Sequence, residues 1–147
     1  MRSIDWDDDG HPVGYERLVF VSVFDGWLKP EEVSRLEEIE PEEWQRFWHF
    51  SDLLAGRFTL WALDKEAGSM RPFDFGRDGR SGWYSDEGGS WGGHFSPYDP
   101  AILYVAELDC VIEEHFDYTS LVWHRDEEAI SALRTAVEEA GLYVFGR

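Results

Sequence analysis

Asp5, Asp7, Asp9 and Glu16, with Gly10 among them, stand at the spacing of a calcium-binding loop, acidic at its first, third, fifth and twelfth positions and glycine at its sixth. Such a loop offers oxygen ligands to a hard cation, the twelfth residue binding through both carboxylate oxygens. Three features oppose that chemistry here. Only four residues precede Asp5, too few for an entering helix. Pro12 takes the place whose amide would pair with a sister loop, and Glu16 opens a strand-like run. An aspartate-rich turn ahead of the first strand is the expectation, with calcium the weaker alternative and no other metal or cofactor expected.

The histidines are His11, His49, His94, His115 and His124. Glu113, Glu114, His115, Asp117, His124 and Asp126 gather titratable groups, and a carboxylate orienting an imidazole is the simplest general base. His115 extends the apolar side of a predicted helix and His124 ends a predicted strand, so structural roles fit both. No HExxH, HxH or HxE…CxxC spacing supports a metal hydrolase or deaminase. Cys110 falls where a small core residue is expected, not a nucleophile. Ser90, Ser96 and Ser120 lack a G-x-S-x-G context. Gly88-Gly89 and Gly92-Gly93 have no nearby Lys or Arg to hold a phosphate, and Arg71, Arg77 and Arg80 sit beside Asp74 and Asp78. These residues indicate no particular reaction, and the expectation is a protein that is not an enzyme.

The elements that must carry these groups read as follows. Residues 1–14 are acidic and turn-rich, and residues 16–24 are dense in β-branched and aromatic side chains, hence a strand. Pro30 and Pro41 each precede a pair of glutamates and an apolar stripe, which predicts two consecutive helices ending near Gly56. RFTLWAL (57–63) reads as a second strand. Within 71–98 lie seven glycines and seven aromatics, a composition that predicts a long ordered loop or hairpin over 64–100. Ala101, Tyr104, Val105, Leu108, Val111, Ile112 and His115 fit helical spacing through Glu114, with a strand over 101–106 competing. TSLVWH (119–124) predicts a strand, the run from Asp126 to Gly141 a helix, and LYVFG (142–146) a closing strand, the last three forming a possible parallel crossover. The sum is one α+β domain over residues 1–147: a small mixed or antiparallel sheet packed by about four helices.

Charge gives the strongest functional signal. Across 147 residues, 31 Asp and Glu oppose 13 Lys and Arg, a formal −18, while 43% of the residues are hydrophobic. That much apolar content predicts a folded core rather than a disordered tail. The negative field disfavours nucleic-acid and membrane partners. No apolar run is long enough to span a bilayer. Four aspartates in the first ten residues are the opposite of a secretory leader, so a cytoplasmic location is expected. The acids are also clustered. Glu31 to Glu43 holds seven Glu and one Arg, and Ser81 to His124 holds eight acids and no Lys or Arg.

On a helix over 101–114, Glu107, Asp109, Glu113 and Glu114 would fall mainly opposite the apolar stripe. With Asp86 and Glu87 they would form an acidic face, and Trp83, Tyr84, Trp91 and Tyr98 would be aromatic anchors beside it. Reversing Glu107, Glu113 and Glu114 to Lys would then spare folding and slow partner capture. These features point to a non-enzymatic acidic inhibitor of a basic protein, such as a bacterial immunity protein blocking a toxin, nuclease or transferase, acting as a monomer or weak homodimer. The eleven Arg against two Lys fit a G+C-rich bacterial coding sequence. The alternatives are an anti-defence mimic of nucleic acid, or an enzyme or small-ligand binder whose pocket lies under the 71–98 segment, lined by Trp61, Trp83, Trp91 and His94.

Overall fold

Strand-forming residues dominate the computed structural model, which describes residues 4–64, 68–73, 102–115 and 119–146. The β-branched run after Glu16 becomes β1 (Arg17–Ser22). It joins β2 (Leu60–Asp64), β3 (Ser69–Pro72), β4 (Ile102–Val105), β5 (Cys110–His115), β6 (Thr119–His124) and β7 (Tyr143–Gly146) in one antiparallel sheet of seven strands. The spatial order is β3-β2-β4-β5-β6-β1-β7. Three helices accompany it among the described residues: a 3₁₀ helix (Pro30–Glu37), α1 (Pro41–Arg57) and α2 (Glu127–Glu139). Strand β1 runs antiparallel to both β6 and β7, so those two are parallel to each other and the β6–α2–β7 connection passes over β1.

This arrangement corrects the expectation of a small sheet under about four helices. The main error is the helix over 101–114, which is instead the β4–β5 hairpin. Val105 and Cys110 close it, and Leu108 N and Asp109 N donate to Val105 O and Ala106 O, both at 3.3 Å. The physical reason is burial on two sides. Ile102, Leu103, Tyr104, Val105, Cys110, Val111 and Ile112 are all at most 8% exposed, so neither strand shows the alternation of a half-buried strand. A continuous apolar run then matches the helical template by accident. The first predicted helix is also more tightly wound than expected, being the 3₁₀ segment before α1. Of the predicted loop over 64–100, the start forms β3; the rest, from residue 74, lies outside the described residues.

One sheet face packs the helices. Val19, Val21, Leu103, Ile112 and Val122 meet Phe47, Phe50 and Leu54 of α1, and Ile130, Leu133, Ala136 and Val137 of α2, in one buried cluster. Helix α2 starts as its sequence predicts, with the Asp126 carboxylate accepting from Glu128 N at 2.9 Å, and stops at Gly141, whose φ of +80° suits glycine. The opposite face buries Leu63, Met70, Ile102, Tyr104, Val111 and Trp123 together with Ile4 and Tyr15 of the N-terminal segment. That segment folds as a tight turn, with a bridge between Trp6 and Pro12 and the Asp7 carboxylate accepting from Asp9 N and His11 N, both at 2.9 Å. His11 lies against the Trp123 indole, ring centroids 4.7 Å apart.

Among the described residues, no helix is long and apolar enough to cross a membrane. The buried Trp123 provides a check on the second core. Trp123→Ala should destabilise the protein by about 3–5 kcal/mol in chemical denaturation, because it empties a large space under the N-terminal turn. Near-native stability would contradict the packing of that segment on the sheet.

Candidate functional site

Among the described residues, a polar constellation surrounds Asp109, at the end of the β4–β5 turn. Its φ of +47° puts it in the left-handed region, which aspartate tolerates better than most side chains. The Tyr15 and Tyr104 hydroxyls donate to Asp109 Oδ1 at 2.7 and 2.8 Å, and Arg125 Nε lies 3.4 Å from Oδ2. The Arg125 guanidinium also covers the Tyr15 ring at 4.2 Å. Burial, then the hydrogen bond to Asp109, hold the Tyr15 phenol above its ordinary pKa, so it remains a proton donor at neutral pH. With Ile4, Asp5, Val13 and Met70 these groups line a cavity of about 240 Å³. The two phenols and the guanidinium converge on one carboxylate and satisfy it. The constellation is therefore a clamp that ties the N-terminal segment, β4 and the end of β6 to one turn, and it lacks an activated nucleophile.

The sequence-predicted site residues are dispersed by the hairpin. Asp109 lies in the clamp. Glu107, in the same turn, accepts from Thr59 N at 2.8 and 2.9 Å and from Thr59 Oγ1 at 3.1 Å, fastening the turn to the start of β2. Its reversal to Lys would cost stability, contrary to the sequence-based expectation. Glu113 and Glu114 lie in β5, not on one helix with Glu107 and Asp109, and the side chain of Glu114 is outside the described part of the chain. Trp83, Tyr84, Asp86, Glu87, Trp91 and Tyr98 lie outside the described residues. Asp5 lines the cavity, Asp7 serves its own turn, and Asp9 and Glu16 are exposed. Among the described residues no group of three or more His, Cys, Asp or Glu is placed to hold a metal ion.

Of the titratable cluster around His124, Asp117 and the side chains of Glu114 and His115 lie outside the described residues, and Glu113 stands apart. His124 lies opposite Arg17 on β1, whereas Glu113 lies opposite Leu121, three residues back along β6. The His124 ring is 1% exposed, neither nitrogen has a hydrogen-bond partner, and Glu127 Oε1 stands 3.9 Å from Nε2. Burial lowers its pKa, opposed by Glu127. Cys110 is fully buried and its thiol is pushed up by burial, so it stays protonated and inert.

A different surface remains open. Trp27, Val33 and Tyr143 are 50%, 51% and 48% exposed. Trp27 packs edge-on to Phe20 and Phe145 at 4.6 and 5.3 Å, and those two rings stack at 5.4 Å. Tyr143, two residues before Phe145, shares its side of β7, while Val144 packs against the helix-side core. The segment carrying Trp27 and Val33 continues into the glutamate run. There Glu32 and Glu43 accept from the backbone amides of Lys29 and Glu40 at the two helix starts, while Glu31, Glu38 and Glu40 are exposed. The nearby arginines are engaged, Arg35 with Glu32 at 3.8 Å, Arg46 with Glu42 at 3.8 Å, and Arg57 with Glu139, while Lys29 is exposed at the start of the run. Sequence reasoning noted the acid run but missed Trp27 and Tyr143. The signal was available, since Trp27 sits in a polar turn outside any apolar periodicity.

Comparison of the chain with protein-family models, curated proteins and solved structures finds no match.

Two outcomes check this geometry. Asp109→Ala should cost about 2–3 kcal/mol in denaturant unfolding, since it removes a charged acceptor from two phenols and a guanidinium. A loss below about 0.5 kcal/mol, the scale of an ordinary surface substitution, would show that the clamp is not structural. The second concerns His124. Above pH 6.5 its imidazole is neutral folded or unfolded, but as the pH falls the unfolded chain takes the proton first and stability is lost through the lowered folded pKa. The melting temperature of wild type relative to His124→Leu should therefore drop between about pH 7.5 and about pH 5. A constant difference would contradict the buried, neutral ring.

Proposed function

We propose that this chain is a non-enzymatic acidic inhibitor of a basic protein partner, of the bacterial immunity type, acting in the cytoplasm against a toxin or a nuclease or transferase active site. The observation that carries this reading is that one stretch of chain exposes both hydrophobics and acids: Trp27 and Val33 lie on the segment that exposes Glu31, Glu38 and Glu40, and Trp27 packs on Phe145, whose side of β7 the half-exposed Tyr143 shares. Contiguous exposed apolar surface marks contact sites, and the half-exposed Trp27 packs on Phe145 beside Tyr143 of the same strand side. Aromatic anchors supply most of the binding energy of a protein interface, and a surrounding negative field steers a basic partner and repels unsuitable ones. With a formal charge of −18, the chain suits a cleft built to receive phosphate, and it is unsuited to nucleic acid or an anionic membrane.

A small-ligand role has one observation in its favour, the 240 Å³ cavity beside the Asp109 clamp. That cavity differs from the pocket expected under residues 71–98. A metabolite bound there would raise the melting temperature at fixed salt.

The inhibitor reading is tested by capturing partners on the immobilised chain at low and high salt. A basic protein should be retained at low salt and released at high salt, and its activity should be blocked by the chain. Trp27→Ala should weaken that complex by about thirtyfold, the scale of an interface hot spot. Binding that ignores both salt and Trp27 would defeat the reading.

A further inference from the structure

The two outer strands of the sheet differ in how they are guarded. Strand β3 carries Arg71 and Pro72, a charge and a residue without an amide to donate, both of which discourage pairing by another chain. Strand β7 has the sequence Tyr-Val-Phe-Gly, with no charge and no proline, and among the described residues it pairs with β1 alone. Alternate amides and carbonyls on its outer side are therefore directed away from the sheet. Beside that edge stand the half-exposed rings of Tyr143 and Trp27.

We propose that the edge of β7 receives a basic, extended segment of the partner protein as an added strand; this rests on the inhibitor reading above and names how the partner docks. Backbone pairing along β7 supplies register, and alternate side chains of the incoming strand lie over Tyr143 and Trp27. Charge selects the occupant. Asp25 and Glu31 are exposed on the segment that carries Trp27, and Glu138 is exposed just ahead of β7. Of the cations on that flank, Arg46 and Arg57 are engaged by Glu42 and Glu139, and the exposed Lys29 is outnumbered by the acids around it. A second copy of this chain would bring the same acids and another −18 against this edge, whereas a lysine- or arginine-bearing strand is attracted to it. Strand β7 spans four residues, so backbone pairing needs the rings and the charge beside it to hold a partner.

The test uses the full chain, isotope-labelled, with an alternating Lys-Val octapeptide as probe. Amide shifts and slowed hydrogen exchange at Tyr143–Gly146 are expected, weakening as salt rises. An octapeptide N-methylated at alternate amides should bind about tenfold more weakly, as expected for losing one or two net hydrogen bonds. Tyr143→Lys, which places a guarding charge on the edge, should weaken the unmodified peptide similarly while leaving the fold intact. Shifts confined to Glu31–Glu43, equal binding of the N-methylated peptide, or no binding at low salt would overturn strand addition. Slowed exchange at β7 in a concentration-dependent dimer without peptide would also overturn it, naming a second copy as the occupant. None of these outcomes touches the inhibitor reading, which fails separately if salt-sensitive partner capture fails.

Discussion

Burial of the central strands on both faces is the constraint from which the rest of the structure follows. Leu103, Val105, Cys110, Val111 and Ile112 are fully buried, and that requires cover on two sides of one sheet. Helices α1 and α2 cover one side. On the other, the N-terminal turn brings Ile4, Trp6 and Tyr15 over Tyr104 and Trp123. The Asp109 clamp is a consequence: a segment that covers a sheet from outside must be pinned, and two phenols and a guanidinium held on one carboxylate do that. The same logic shows where cover thins. At β1 and β7 the exposed side bears Phe20, Phe145, Trp27 and Tyr143, and the last two are about half-exposed at 50% and 48%.

Charge then separates two roles that composition alone merges. Some acids build the fold. Glu32 and Glu43 serve helix starts, Asp126 caps α2, Asp7 shapes the first turn, Glu107 fastens the β4–β5 turn, and Asp109 is the centre of the clamp. What these tasks leave over, notably Glu31, Glu38 and Glu40, is exposed on the same stretch of chain as Trp27 and Val33. Such a surface has the two ingredients of fast, selective capture of a basic partner: a field that acts at a distance and rings that act in contact.

Much of the fold was legible in the sequence because its signals are local. β1, α1, β6, α2 and β7 follow from β-branched density, from Pro-Glu-Glu starts, from the Asp126 cap and from Gly141. The β4–β5 hairpin was not, because strands buried on both faces lose the alternation that identifies strands, and because Asp109 stands at a left-handed turn position where glycine would have announced the turn. That error carried the acidic face with it, since Glu107 and Asp109 sit in the hairpin turn, held by Thr59 and by the two tyrosines, and not on a helix with Glu113. The clamp was illegible for another reason: Tyr15, Tyr104 and Arg125 are far apart in sequence and meet only through the sheet register. Trp27 was legible from its polar turn but overlooked, whereas Tyr143 was missed because exposure within a strand is a property of what fails to cover it, which no local pattern records.

The most direct measurement is hydrogen exchange along the whole chain, free and saturated with the basic protein it captures. Slowed exchange concentrated in residues 23–43 and at Tyr143–Gly146 is the predicted result. Slowing confined to the Asp109 turn and the N-terminal segment, with the aromatic edge unchanged, would contradict the account and move the functional surface to the cavity beside the clamp.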